Sequence, residues 1–85
     1  MNINNTPILV LYCKTDCPFS NKVLKFIKQI NKKLTVKNID IDHKALDELA
    51  HLGGKVQTPC LFIDGKPLYD SENIIDWIKS KKDIV

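Results

Sequence analysis

Five apolar residues, Ile8-Leu9-Val10-Leu11-Tyr12, give way within a few positions to a helical period that opens at Pro18. A buried strand that hands straight over to an amphipathic helix belongs to an α/β fold, in which helices cover a sheet. The run is bounded by Pro7 and a polar turn and reads as a fully buried strand. From Pro18 onward, Val23, Leu24, Ile27 and Ile30 recur on one helical face and Lys22, Lys25, Lys28, Gln29 and Lys32 on the other. Leu34, Val36 and Ile39 predict a second strand that ends near Asp40-Ile41-Asp42. A second helix is expected from His43 to Leu52, packing through Leu46, Leu49 and Ala50 and stopped by Gly53-Gly54. Cys60-Leu61-Phe62-Ile63 and Pro67-Leu68-Tyr69 flank Asp64-Gly65-Lys66, a hairpin signature. The last segment, about Ser71 to Lys81, carries Ile74, Ile75 and Ile78 on one face, with Asp70 or Ser71 to cap it. The order β-α-β-α-β-β-α predicts a four-stranded mixed sheet with helices on its faces. At 85 residues, a single domain over 1–85 is expected, with no room for a second.

Composition narrows the function. The formal charge is +3, and all 13 basic residues are lysine. Arginine supplies the planar fork for bidentate phosphate and base-edge contacts, so its absence, with lysines mixed among acids on helix faces, argues for a solvated surface and against nucleic-acid binding. The uncharged stretch Ile3 to Cys13 falls well short of the roughly 18 apolar residues of a membrane span. Met1-Asn2-Ile3-Asn4-Asn5 places no positive charge before an apolar run, so no secretory signal is read there. A soluble, cytoplasmic monomer with no membrane partner is expected. The three cysteines, Cys13, Cys17 and Cys60, do not have the paired spacing of a disulfide-stapled scaffold. No metal site is expected, because a structural zinc wants four ligands and His43 and His51 lie in a separate predicted helix. Thiol chemistry or ordinary burial remains.

Cys17-Pro18-Phe19-Ser20 sits where the first strand hands over to the first helix. Proline suits the first helical position, because its missing N–H would have no partner there. Cys17 is then the N-cap, its sulfur facing the free amides of Phe19 and Ser20. Those donors and the positive end of the helix favour thiolate over thiol, which makes a nucleophile near neutral pH. Lys14 adds a positive charge that Asp16 partly opposes, and the Ser20 hydroxyl is a further donor. The competing reading is a small buried side chain at a helix start, as cysteine often is. Two other segments bear on the choice. Thr58-Pro59 enters the hairpin strand from a loop; a cis bond would free the Thr58 backbone to pair with an extended peptide, whereas trans is the commoner state. Asp70-Ser71-Glu72 opens the last helix, where free amides suit a carboxylate as well as a simple cap.

Taken in order, Tyr12-Cys13-Lys14-Thr15-Asp16-Cys17-Pro18-Phe19-Ser20, Thr58-Pro59, Leu61-Phe62-Ile63-Asp64-Gly65-Lys66 and Asp70-Ser71 resemble a glutaredoxin over nearly the whole chain. The resemblance implies the thioredoxin fold and an enzyme of thiol-disulfide exchange that uses glutathione as co-substrate. Its partners would be glutathionylated or disulfide-containing proteins. Cys17 would attack the glutathione sulfur of a protein–glutathione mixed disulfide, and a second glutathione would regenerate it. Lys14, with Gln57 as a second candidate, matches the position that takes the glycine carboxylate. Thr58, before Pro59, would pair with the tripeptide backbone, and Ser71 with Asp70 or Glu72 would hold the γ-glutamyl end. Pro18 and Phe19 flank the sulfur on the same groove.

The chain departs from the family pattern at two places. Ser20 stands where dithiol members have a second cysteine, so the resemblance implies a monothiol route. Tyr69-Asp70 replaces a common Gly-Gly pair, which makes this stretch similar also to the N-terminal domain of glutathione transferases of the omega and dehydroascorbate reductase type. Cys13 and Cys60 are expected to pack in the core, although Cys60, next to Pro59, would lie near the reactive sulfur. Two alternatives compete with the enzyme. One is a dimer bridged by a glutathione-ligated [2Fe–2S] cluster; Pro18 stands where cluster-carrying monothiol members have glycine, and their insertion before the cysteine is missing. The other is a non-catalytic interaction module of the same fold.

Overall fold

The computed structural model describes residues 7–32 and 34–80. The Met1–Asn5 segment and Lys81, both invoked above, lie outside them. The elements are β1 (Leu9–Cys13), α1 (Pro18–Gln29), β2 (Thr35–Asn38), α2 (His43–Gly53), β3 (Cys60–Ile63), β4 (Lys66–Tyr69) and α3 (Ser71–Ser80). They follow the order read from the sequence. The sheet runs β2-β1-β3-β4, with β1 parallel to β2 and antiparallel to β3, and β3 antiparallel to β4. This is the mixed sheet of the thioredoxin and glutaredoxin fold.

Strand alternation divides the core into two layers. Leu9, Leu11 and Leu61 face α1 and α3 and pack with Val23, Ile27, Ile74, Ile75 and Ile78. Tyr12, Cys60 and Phe62 face the other way, onto Ala45 and Leu49 of α2, with Ile39. The Tyr12 and Phe62 rings meet edge to face at 5.1 Å. Tyr12 also donates from its hydroxyl to Glu48, 3.0 Å away, and the same carboxylate oxygen accepts from Lys37 at 2.8 Å. Both layers therefore depend on the two central strands.

Four expectations about packing are corrected. Ile30, expected on the apolar face of α1, is exposed because the helix ends at Gln29 and Ile30 caps it. Ile8 is 73% exposed and precedes the strand; its amide donates to Asp64 Oδ1 at 2.8 Å, and its carbonyl accepts from the Asp64 amide at 2.9 Å. It serves to tie the start of β1 to the hairpin turn, and the strand extends to Cys13 instead. Val36 is exposed because β2 is an edge strand with no element over it at that point. Ala50 is exposed, and Ala45 takes the buried place beside Leu49, one helical turn earlier.

The hairpin turn and the glycine stop of α2 form where the sequence predicts them, except that Lys66, expected in the turn, opens β4. Asp64 and Gly65 both have positive φ, 51° and 86°, as a two-residue turn between paired Ile63 and Lys66 requires. Asp42 caps α2 by accepting from the Lys44 and Ala45 amides, and Gly54 ends it in the left-handed region at φ 83°.

Gly53 carries a different constraint: a Cβ there would collide with the Tyr69 hydroxyl. That hydroxyl donates to the Lys55 carbonyl at 2.9 Å, and the ring lies under Lys55 Nζ at 4.5 Å, so it is not free to swing away. Gly53→Ala is expected to destabilise the fold by about 1 kcal/mol net, the steric cost exceeding the gain in helix propensity. Urea unfolding measures it. The double variant Gly53→Ala/Tyr69→Phe should recover most of the loss; a Gly53→Ala protein more stable than the parent would contradict the contact.

Candidate active site

The turn that carries Cys17 is built from polar ties. Asp16 takes positive φ, 58°, which aspartate tolerates, and swings the chain from β1 into α1. The Thr15 amide donates to Asp40 Oδ2 at 3.1 Å, and Asn38 Nδ2 donates to Thr15 Oγ1 at 3.0 Å, so the end of β2 holds the loop. Ser20 is fully buried, and its hydroxyl accepts from the Lys14 amide at 3.4 Å. Cys17 is thereby fixed as the N-cap of α1, with Pro18 at the first helical position.

The Cys17 sulfur accepts from the Ser20 amide at 3.5 Å and from the Thr58 hydroxyl at 3.8 Å. As a thiol it also lies 3.9 Å from the Thr58 carbonyl, to which it can donate. Partial burial alone would push the Cys17 thiol up; hydrogen bonds from the Ser20 hydroxyl and amide, the Thr58 hydroxyl and the Phe19 amide outweigh it, and the net displacement is downward. Cys13 and Cys60 go the other way. Both are buried and free, and burial pushes their thiols up. The three cysteines thus divide into one half-buried thiol shifted toward its thiolate and two buried thiols shifted away from it.

A cleft of about 500 Å³ opens beside Thr58, whose hydroxyl reaches the sulfur; Cys17 itself does not line it. Phe19, Gln57, Thr58, Pro59, Asp70, Ser71 and Glu72 line it, together with Asn73. The Thr58-Pro59 bond is cis. Across the cleft, Gln57 Nε2 donates to Asp70 Oδ1 at 3.2 Å. The Asp70 carbonyl accepts the Ile74 amide at 3.1 Å and starts α3. Among the described residues, no side chain bonds to the amides of Ser71, Glu72 or Asn73, so the first turn of α3 offers free donors to the cleft. Glu72 is paired with Lys22 of α1.

Most of the residues singled out in the sequence meet at this place: Ser20 and Thr58 bond to the Cys17 sulfur, and Phe19, Gln57, Thr58, Pro59, Asp70, Ser71 and Glu72 line the cleft. Pro18 is exposed at the start of α1. Lys14 is exposed on the preceding loop and does not line the cleft. Asn73 was missed; it lies in the same first helical turn as Ser71 and Glu72, and its side chain donates to the Tyr69 carbonyl at 3.3 Å. Among the described residues, no three His, Cys, Asp or Glu side chains group as a metal site, and no helix is long and apolar enough to cross a membrane.

The opposed shifts give a pH prediction. Alkylation of Cys17 by iodoacetamide should rise with pH through a midpoint below the ordinary thiol value, and Thr58→Val should move that midpoint upward. Peptide mass mapping reads both. For stability the signs differ: the depressed Cys17 contributes stability present above its unfolded pKa and lost as pH falls through its folded one, whereas Cys13 and Cys60 contribute stability present below their unfolded pKa and lost as pH rises through their raised ones.

The fold agrees with comparisons to known proteins. Among solved structures, the chain is similar to glutaredoxin C1 from Populus tremula x tremuloides in its holo form, with 23% identity, 87% of this chain and 76% of that one covered and a TM-score of 0.66. It is similar to wheat glutaredoxin, with 26% identity, 84% and 70% covered and a TM-score of 0.65. It is similar to buckwheat glutaredoxin, solved as a complex with glutathione, with 22% identity, 89% and 72% covered and a TM-score of 0.68. No curated protein matches the chain. The family model for glutaredoxin matches residues 9–68, which run from the first residue of β1 into β4 and take in the whole Cys17 turn and the Thr58-Pro59 bend. The chain belongs to the glutaredoxin family.

Proposed function

We propose that this protein is a glutathione-dependent thiol-disulfide oxidoreductase that reduces protein–glutathione mixed disulfides by a monothiol route. The observation that carries the reading is the Cys17 sulfur, held by the Ser20 amide and by the hydroxyl of Thr58, which itself lines a cleft large enough for a small peptide. The Cys17 thiolate attacks the glutathione sulfur of the mixed disulfide. The S–S bond breaks, its electron pair leaves on the target sulfur, and that thiolate takes a proton from solvent. A glutathione thiolate then attacks the Cys17–glutathione bond, releasing glutathione disulfide and restoring Cys17. Ser20 supports this route, since a hydroxyl at that position cannot form an intrachain disulfide.

Glutathione has a carboxylate at each end and a peptide backbone between. The free amides at the start of α3 suit the γ-glutamyl carboxylate, and Asp70 or Glu72 suits its amino group. Thr58 offers backbone groups at the middle, beside Pro59 and against Phe19. Gln57 and Lys14 remain for the glycine carboxylate, Lys14 by reaching from the loop outside the cleft. Titration with glutathione disulfide, read by intact mass, tests the reading. One adduct of glutathione mass, mapped to Cys17, is expected; no adduct, or one on Cys13 or Cys60, would overturn it.

A further inference from the structure

Further along α1 and α3 lies a second cleft of about 360 Å³, lined by Lys22, Lys25 and Phe26 from one helix and Glu72, Ile75 and Lys79 from the other. Phe26 packs against the core and stays half-buried, and Ile75 is buried, so the floor is apolar. Lys79 Nζ stands 5.8 Å from the centre of the Phe26 ring. Lys22 and Glu72 are paired with each other across the helices, whereas neither Lys25 nor Lys79 has an acidic partner among the described residues. The result is a basic rim over an apolar strip. Glu72 lines both clefts, so the second adjoins the first at that residue.

We propose that this groove docks an acidic segment of the protein substrate, with carboxylates at Lys25 and Lys79 and an aromatic or aliphatic side chain over Phe26 and Ile75. The proposal rests on the reading of Cys17 given above. Lysine offers point charges that suit scattered carboxylates better than planar phosphate recognition. Lys25 lies eight residues beyond Cys17 and Lys79 eight beyond Ser71. At about 1.5 Å per helical residue both are about 12 Å from the reactive end. An extended peptide covers that distance in about four residues. Substrates with Asp or Glu about four positions from the glutathionylated cysteine are therefore the ones the groove selects.

Three probes test this: the mixed disulfide of glutathione with 2-mercaptoethanol, and two glutathionylated peptides of about eight residues, one with acidic flanks around a phenylalanine and one with lysine flanks. The acidic peptide should show kcat/KM about tenfold above its lysine twin at low salt, mostly through KM, and lose the advantage as salt shortens the screening length below about 5 Å. Lys25→Glu/Lys79→Glu should erase or invert the preference while leaving turnover of the small disulfide unchanged. Equal turnover of the two peptides, or a preference that survives charge reversal, overturns the groove. No turnover of the small disulfide overturns the oxidoreductase reading instead. Docking itself is read separately, from an acidic peptide with serine for cysteine: salt-sensitive amide shifts at Lys25, Phe26, Ile75 and Lys79 support it, and shifts elsewhere, or a dimer that covers the groove at the same concentration, overturn it.

Discussion

On the proposed route, Cys17→Ser should lower deglutathionylation of a protein–glutathione mixed disulfide by at least about a thousandfold, because the variant retains the cleft and loses the one cysteine whose pKa is lowered. A serine hydroxyl at the N-cap accepts the same Ser20 amide and stays protonated at neutral pH, so the helix start is preserved. That separates chemistry from folding: far-ultraviolet circular dichroism and the unfolding midpoint should change little while activity disappears. Cys60→Ala is the control. Cys60 is fully buried in the layer between the sheet and α2, and burial holds its thiol protonated. Most activity should survive its removal, with some loss of stability from the smaller side chain. Activity in Cys17→Ser within tenfold of the parent would defeat the assignment. Loss in Cys60→Ala at full folding would give the second cysteine a resolving part that its burial opposes.

The order of elements was legible because each change of period is local. The strand run before Pro18, the proline at the first helical position and the Asp64-Gly65 turn each act over a few residues, and backbone sterics decide them. Cys17 as N-cap was legible for the same reason. What periodicity does not report is whether a neighbour covers a face. Val36 sits in a strand that the sequence predicts, yet the sheet order leaves β2 at an edge. Ala45 and Ala50 are the same residue type about 140° apart around α2, and which of the two is buried depends on the face that the helix turns to the sheet. Polar ties between distant positions were equally hidden: Asn38 and Asp40 hold the Cys17 loop only because β2 pairs in parallel with β1 and ends beside it. The Lys22–Glu72 pair requires α1 and α3 to lie side by side. The candidate site was legible where a backbone rule marked it, and its supports were not, because topology alone creates them.

Leu61→Ala is expected to destabilise the protein by about 2–5 kcal/mol. A chain of this length has a total stability of roughly 4–13 kcal/mol, so the variant should be partly unfolded at 37 °C at the lower end of that range. Leu61 is fully buried in β3, one of the two central strands, opposite Leu11 of β1 and Leu68 of β4. It belongs to the layer closed by Val23 from α1 and Ile74 and Ile78 from α3, all of them fully or nearly fully buried. Relaxation into the cavity is resisted because β3 is hydrogen-bonded on both edges and two helices would have to move together. The midpoint of thermal unfolding should fall by about 10–30 °C. Ile8→Ala removes a similar apolar volume at a position 73% exposed and should change stability by less than about 0.5 kcal/mol. The contrast between two aliphatic truncations tests the layer assignment directly: a loss under about 1 kcal/mol for Leu61→Ala would mean that α1 and α3 do not close on the sheet there. The same truncation reaches the site, since β3 begins immediately after Pro59. At 10 °C, where the variant stays folded, the alkylation midpoint of Cys17 should move upward, because the Thr58 hydroxyl is carried by the segment that loosens.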